Sequence, residues 1–135
     1  MIVVDTNVLV QFVVQGTRSA LVLEVRRRDS EWVAPSLWRS EMHSVLSGHL
    51  RRGALSLGEA VLVLRNASLA LRHRDERPSS TRVLSLVATS RCSAYDCEFV
   101  ALARQHRVRL VTFDQQVLNE FPETAVAPEA FAAGS

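Results

Sequence analysis

The chain contains no lysine: all sixteen of its basic side chains are arginine. No mechanism that requires a lysine is open to it, whereas arginine can grip a phosphate through two parallel hydrogen bonds. A GC-rich coding bias is the plainer account of the preference, and the chemical consequence is the same. Neither sign of charge is in large excess. The formal net charge of +2 is too small to argue for any class of partner. Cysteine is scarce as well. Cys92 and Cys97 fit the spacing of neither a zinc site nor a redox motif, so two free thiols in a cytosolic protein are expected. No apolar run approaches the roughly 18 residues needed to span a membrane. Met1 leads straight into an apolar stretch that Asp5 interrupts, with no basic lead-in. No signal peptide is expected, and the protein reads as cytoplasmic.

What is present is ordinary for a globular chain: 47% hydrophobic and 22% charged residues over 135 positions. That length fits one domain with a real core. Ile2 to Val4 reads as a short buried parallel strand. Asp5-Thr6-Asn7 then suits a helix N-cap, and Val8, Leu9, Phe12 and Val13 repeat at helical spacing. Arg18 to Asp29 reads as a second helix ending in Arg26, Arg27 and Arg28, where cations complement the macrodipole. Trp32 to Ala34 is a second strand, followed by a helix from about Leu37 to Arg52 that Gly53 closes. Ser56 and Glu59 form a capping box for a helix reaching Leu71. That helix is dense in leucine, and it is expected to pair with the preceding one and to reach a second subunit. Arg72 to Ser80 reads as a connection and Thr81 to Thr89 as a short helix. Ser93 caps a helix from Ala94 to Gln105, Val108 to Thr112 reads as a strand, and Ala125 to Ala127 as a final edge strand. Alternating strands and helices predict a three-layer α/β/α domain with a small, mostly parallel central sheet. The domain is expected over residues 1–128, with a small, weakly apolar tail at 129–135 that frays.

Four acids share one property. Asp5 and Asp114 each follow a buried strand, and Glu41 and Asp96 each interrupt the apolar face of a helix. Two of them have a bland alternative: Asp5 as a helix cap, and Glu41 satisfied by an arginine or a backbone donor. Parallel strands would bring Asp5 and Asp114 out at the same sheet edge, where open α/β sheets bind ligands. The first turns of the Glu41 and Asp96 helices can face that edge. Four carboxylates without a counter-charge repel, and some must take up protons. A hard divalent cation, Mg²⁺ or Mn²⁺, removes that conflict. Thr6, Asn7 and Thr112 are the right polar types to fix the carboxylates from behind. Such a site suits phosphodiester hydrolysis. The nucleic-acid backbone would then be held by arginines around the rim. Arg26 to Arg28, Arg51, Arg52, Arg72 and Arg74 are the candidates.

The chain also resembles the PIN-domain nucleases, and among them the VapC-type toxins of type II toxin–antitoxin systems. Ile2-Val3-Val4-Asp5-Thr6-Asn7-Val8-Leu9 is similar to the family's opening strand and first acid. Ala34-Pro35-Ser36-Leu37-Trp38-Arg39-Ser40-Glu41 resembles its second-acid helix. Ser93-Ala94-Tyr95-Asp96 with Phe99-Val100-Ala101-Leu102-Ala103 resembles its third-acid helix. Leu110-Val111-Thr112-Phe113-Asp114 resembles its last strand and fourth acid. The resemblance implies a Mg²⁺-dependent endoribonuclease acting on RNA. It also implies a homodimer neutralised by a cognate antitoxin protein lying over the active-site groove. By position, Asp5 and Asp96 would be the principal metal ligands, with Glu41 and Asp114 completing the acidic pocket.

Three rival readings use the same residues. A receiver domain also carries an acidic metal pocket, but it needs a lysine that this chain lacks. A haloacid-dehalogenase-like phosphatase needs two acids two apart after the first strand, and Asn7 holds the second place. A non-catalytic RNA- or protein-binding module with a structural acid cluster is the remaining alternative.

Overall fold

A computed structural model describes residues 1–135. Five short strands form one sheet in the order β3-β2-β1-β4-β5, flanked by eight helices. The strands are β1 (Ile2–Val4), β2 (Trp32–Pro35), β3 (Asp75–Glu76), β4 (Leu110–Val111) and β5 (Ala125–Val126). Every pairing is parallel. The expected α/β/α architecture is therefore present. The sheet is wholly parallel rather than mostly so.

The three inner strands are short apolar runs because helices cover the sheet. Val3, Val4, Trp32, Val33, Leu110 and Val111 are buried, and the core extends from them into Trp38, Met42, Phe99 and Leu102. The helices that matter for the site are α1 (Thr6–Val13), α3 (Trp38–Arg51) and α6 (Ala94–His106). Each begins at the sheet edge where β1, β2 and β4 end. Around them lie α2 (Ser19–Arg28), α4 (Leu57–Ala70), α5 (Ser80–Ala88), α7 (Gln115–Glu120) and α8 (Pro128–Ala132).

Three capping signals are found where the sequence places them, whereas Ser36, a plausible cap for the helix that carries Glu41, is not used: α3 starts after Leu37 with no side-chain cap. The Ser56 hydroxyl accepts from the Glu59 amide, and the Glu59 carboxylate accepts from the Ser56 amide. Gly53 takes the left-handed conformation at φ 70° after α3. Ser93 accepts from the amide of Asp96 at 3.1 Å.

Two segments differ from expectation. Within Arg72 to Ser80, Asp75 and Glu76 pair with Ala34 and Pro35 as the outer strand β3. Nothing in two acidic residues signals a strand, and only the neighbouring β2 makes them one. The tail at 129–135 does not simply fray. Pro128–Ala132 forms α8, Phe131 is only 7% exposed, and the Arg28 guanidinium lies over its ring. The docked aromatic offsets the cost of ordering the chain end.

Candidate active site

The sheet order places the site. From β1 the chain moves outward through β2 and β3, then returns across β1 to lay down β4 and β5. The order reverses between β1 and β4. Parallel α/β sheets bind ligands at the carboxyl ends of the strands beside such a reversal. Asp5 follows β1 directly, and Asp114 lies just beyond β4. The sequence brings both acids to this edge, and the topology puts them on either side of the switch.

One open cleft of about 320 Å³ gathers all four acids: Asp5, Glu41, Asp96 and Asp114 line it. Glu41 comes from the first turn of α3 and Asp96 from the first turn of α6. Val10 and Val45 supply its apolar wall.

A polar lattice ties these acids together. The Thr6 amide donates to Asp5 Oδ1 at 2.7 Å, and the Thr6 hydroxyl donates to Glu41 Oε1 at 2.7 Å. The Thr112 hydroxyl, fully buried, donates to Asp5 Oδ2 at 2.7 Å. The same Oγ1 accepts from the amide of Asp114 at 2.9 Å and from Asn7 Nδ2 at 3.4 Å. Asn7 Oδ1 in turn accepts from the Phe113 amide at 3.2 Å. Asp114 also caps α7, accepting from the amides of Gln116 and Val117. Helix capping and a place in the cleft are thus not alternatives for Asp5, which does both, and Asp114 likewise caps α7 while lining the cleft.

No cation answers these charges. None of the four acids takes part in an ion pair. The electrostatic consequence is upward pressure on their proton affinity. Burial, with repulsion from Glu41 and Asp96, pushes the Asp5 carboxyl up to about 7 against the hydrogen bonds from Thr112 and Thr6. Burial likewise raises Glu41, with Asp96 and Glu98 adding to it against the Thr6 hydrogen bond. Partial burial also raises Glu98.

As the side chains stand, no three His, Cys, Asp or Glu residues form a ready metal-ligand group. The carboxylates line the cleft without closing on a common point, as repelling anions do. The donor set nevertheless fits a hard divalent cation: it is all oxygen, carries excess negative charge and lacks any guanidinium partner.

The arginines named as rim candidates lie elsewhere. Arg26 donates to the carbonyl of Ala70 and stacks on Phe12 and Trp32. Arg27 pairs with Glu24, and Arg28 covers Phe131. These three end α2 just before β2 begins, so they sit at the opposite sheet edge. Arg72 and Arg74 precede β3 and share that edge. Two nitrogens of Arg74 are buried there without partners. Arg51 and Arg52 end α3, about 15 Å along the helix from Glu41 at 1.5 Å per residue. Cations at the acidic edge include Arg18, whose guanidinium lies 4.4 Å from the Phe113 ring centre, Arg77, which follows β3, and Arg91, whose carbonyl accepts from Gln116 at the start of α7. Arg77 was hidden because β3 itself gave no signal. Cys92 and Cys97 are buried free thiols, and burial pushes Cys92 up to about 11, far from a reactive thiolate.

A small parallel α/β domain with an oxygen-rich acidic cleft at its switch point defines a recognisable class. Residues 2–125 match the PIN domain family, and the chain belongs to it. PIN domains are generally metal-dependent nucleases, hydrolases that use divalent ions such as Mg²⁺. No curated protein matches the chain. No helix is long and apolar enough to cross a membrane.

Proposed function

We propose that this chain is a Mg²⁺-dependent endoribonuclease, with Mn²⁺ able to substitute, and the toxin component of a toxin–antitoxin pair. One observation carries the reading: four carboxylates from four separate segments share one cleft with no cation to balance them. In this reading Asp5 and Asp96 are the principal metal ligands, and Glu41 and Asp114 complete the set. When bound, the ion supplies a water of lowered pKa and stabilises charge on the phosphoryl oxygen.

The chain's own residues do the rest. Thr112 and Thr6 occupy both oxygens of Asp5, which fixes its rotamer before any ligand arrives. The Thr6 hydroxyl holds one oxygen of Glu41 and leaves the other free. Asn7 bridges Thr112 to the Phe113 amide and holds the loop from β4 against α1. Preorganisation of this kind removes the cost of ordering the site during reaction. Arg18 and Arg77, rather than the arginines of the far edge, would hold the RNA backbone.

The toxin role rests on the motif resemblance, and with it come a cytoplasmic location, a homodimer and an antitoxin lying over the cleft. The exposed Leu57, Val61 and Leu62 of α4 give an apolar surface suited to a second subunit.

The test is cleavage of a single-stranded RNA with Mg²⁺, with chelator, and with Asp96→Asn. We expect cutting only by the wild type with metal. Equal cutting by Asp96→Asn, free of contaminating ribonuclease, rejects the site assignment. RNA binding with no cutting under any metal favours the non-catalytic module. Growth arrest on expression alone, relieved by a co-expressed neighbouring small protein, tests the toxin role.

A further inference from the structure

Beside the acidic cleft lies a larger cavity of about 460 Å³, within the range that ligand pockets occupy. Ser36 and Leu37 border it at the entry to α3, Arg77 and Ser80 between β3 and α5, and Glu98 from α6. The helices α3 and α6 also carry Glu41 and Asp96 into the neighbouring cleft, so the two hollows share a wall. A ligand filling both would run along one sheet edge.

Arg77 and Glu98 line this cavity with opposite charges, yet they form no ion pair. Both are left available to a ligand with an anionic end and a hydrogen-bond-donating end. A nucleotide has that pattern: phosphate at one end, and at the other a base edge with N–H groups. Leu37, Val83 and Leu84 supply an apolar flank, with Leu84 64% exposed. Tyr95, the chain's single tyrosine, is 63% exposed. It stands one turn before Glu98 on the same side of α6. An exposed aromatic there offers a stacking surface for an unpaired base.

We propose that this cavity is a nucleotide subsite that takes the residue flanking the scissile bond of a single-stranded RNA, with guanine preferred over uracil. The proposal rests on the nuclease reading above. Guanine presents N1–H and N2–H₂ side by side, so the Glu98 carboxylate accepts two parallel bonds. Uracil presents one N–H between two carbonyl oxygens, which the carboxylate repels. Single-stranded RNA exposes this edge for such reading. Arg77 grips the phosphate, which every nucleotide carries, so it contributes affinity without choice of base.

The experiment uses the full chain without added metal, titrated with GMP and with UMP while backbone amide resonances are followed. We expect GMP to bind about tenfold more tightly than UMP, the discrimination of one good bidentate contact. Shifts should centre on Ser36, Arg77 and Glu98. Glu98→Gln should cut the preference below about twofold, and Arg77→Gln should weaken both nucleotides about tenfold and keep the preference. Thermal melting checks that both variants are folded. Equal binding of GMP and UMP, or shifts centred elsewhere, overturns the subsite. So does RNA cleavage whose base preference is absent or unchanged in Glu98→Gln, and that result leaves the nuclease reading standing. Nucleotide binding as described, in a chain that cuts no RNA with any divalent metal, overturns the nuclease reading alone.

Discussion

Thr112 touches two of the four acids at once. Its hydroxyl donates to Asp5 and accepts the amide of Asp114, with no exposed surface. Thr112→Val keeps the shape and deletes the oxygen. A buried amide and a carboxylate oxygen then lose their partner, at a cost of about 1–3 kcal/mol, read from the denaturant midpoint. A second effect separates this residue from an ordinary core threonine. Its hydrogen bond is the larger of the two that hold the Asp5 proton affinity down. Without it, Asp5 should hold its proton to higher pH, and the pH midpoint of cation-dependent cleavage should move upward. A stability loss with an unmoved pH midpoint would make Thr112 structural only. The residue types at Thr6, Asn7 and Thr112 were legible because carboxylates near buried strands need neutral donors. Their division of labour was not, since it depends on which oxygen faces which hydroxyl across 35 residues of sequence for Thr6 and Glu41 and 107 for Thr112 and Asp5.

Helix α6 owes its first turn, and so the placement of Asp96, to the cap at Ser93. Helix α4 is capped in the same way at Ser56 but carries no acid into the cleft. Ser93→Ala and Ser56→Ala should each cost about 1 kcal/mol, or about 4 °C in melting temperature. Only the first should lower RNA cleavage at 25 °C, by several-fold, because only there does fraying release a site carboxylate. Equal activity in the two variants would show that Asp96 is positioned by packing rather than by its cap. At the chain's far end, Phe131→Ala should cost about 3 kcal/mol, by chemical denaturation, if α8 holds its place on α2. A loss under about 0.5 kcal/mol would return the segment to a frayed state. Caps were readable because they are local: Ser56 with Glu59, Ser93 with Asp96, and Gly53 after α3 interact within a few residues. The strand β3 and helix α8 were not, because a partner distant in sequence creates each. The leucines of α4 are readable only in part, for a related reason. Helical spacing marks an apolar face but does not say what covers it, and Leu57 is 71% exposed.

At the scale of the whole molecule, parallel strands send all their carboxyl ends to one edge, so the sequence could place Asp5 and Asp114 together. It could not say that β4 crosses to the far side of β1, and that crossing makes the edge a crevice. The crevice then sets how stability responds to pH. Asp5 is raised from 3.8 to about 7, so between those values the folded chain binds a proton that the unfolded chain releases. The protonated acid's contribution to stability is fully present below about 4 and is lost as pH rises through about 7. Glu41 shifts in the same direction and steepens the loss. Metal-free protein should therefore melt at lower temperature at pH 8 than at pH 5.5, once contributions from the other groups are matched in an Asp5→Asn control. A divalent ion binds the deprotonated form and must displace those protons. The Mg²⁺-induced rise in melting temperature should be small at pH 5.5, grow through pH 7 and vanish in Asp5→Asn at every pH. A rise of equal size at both pH values would mean that the ion binds elsewhere, and the four acids would lose their claim to it.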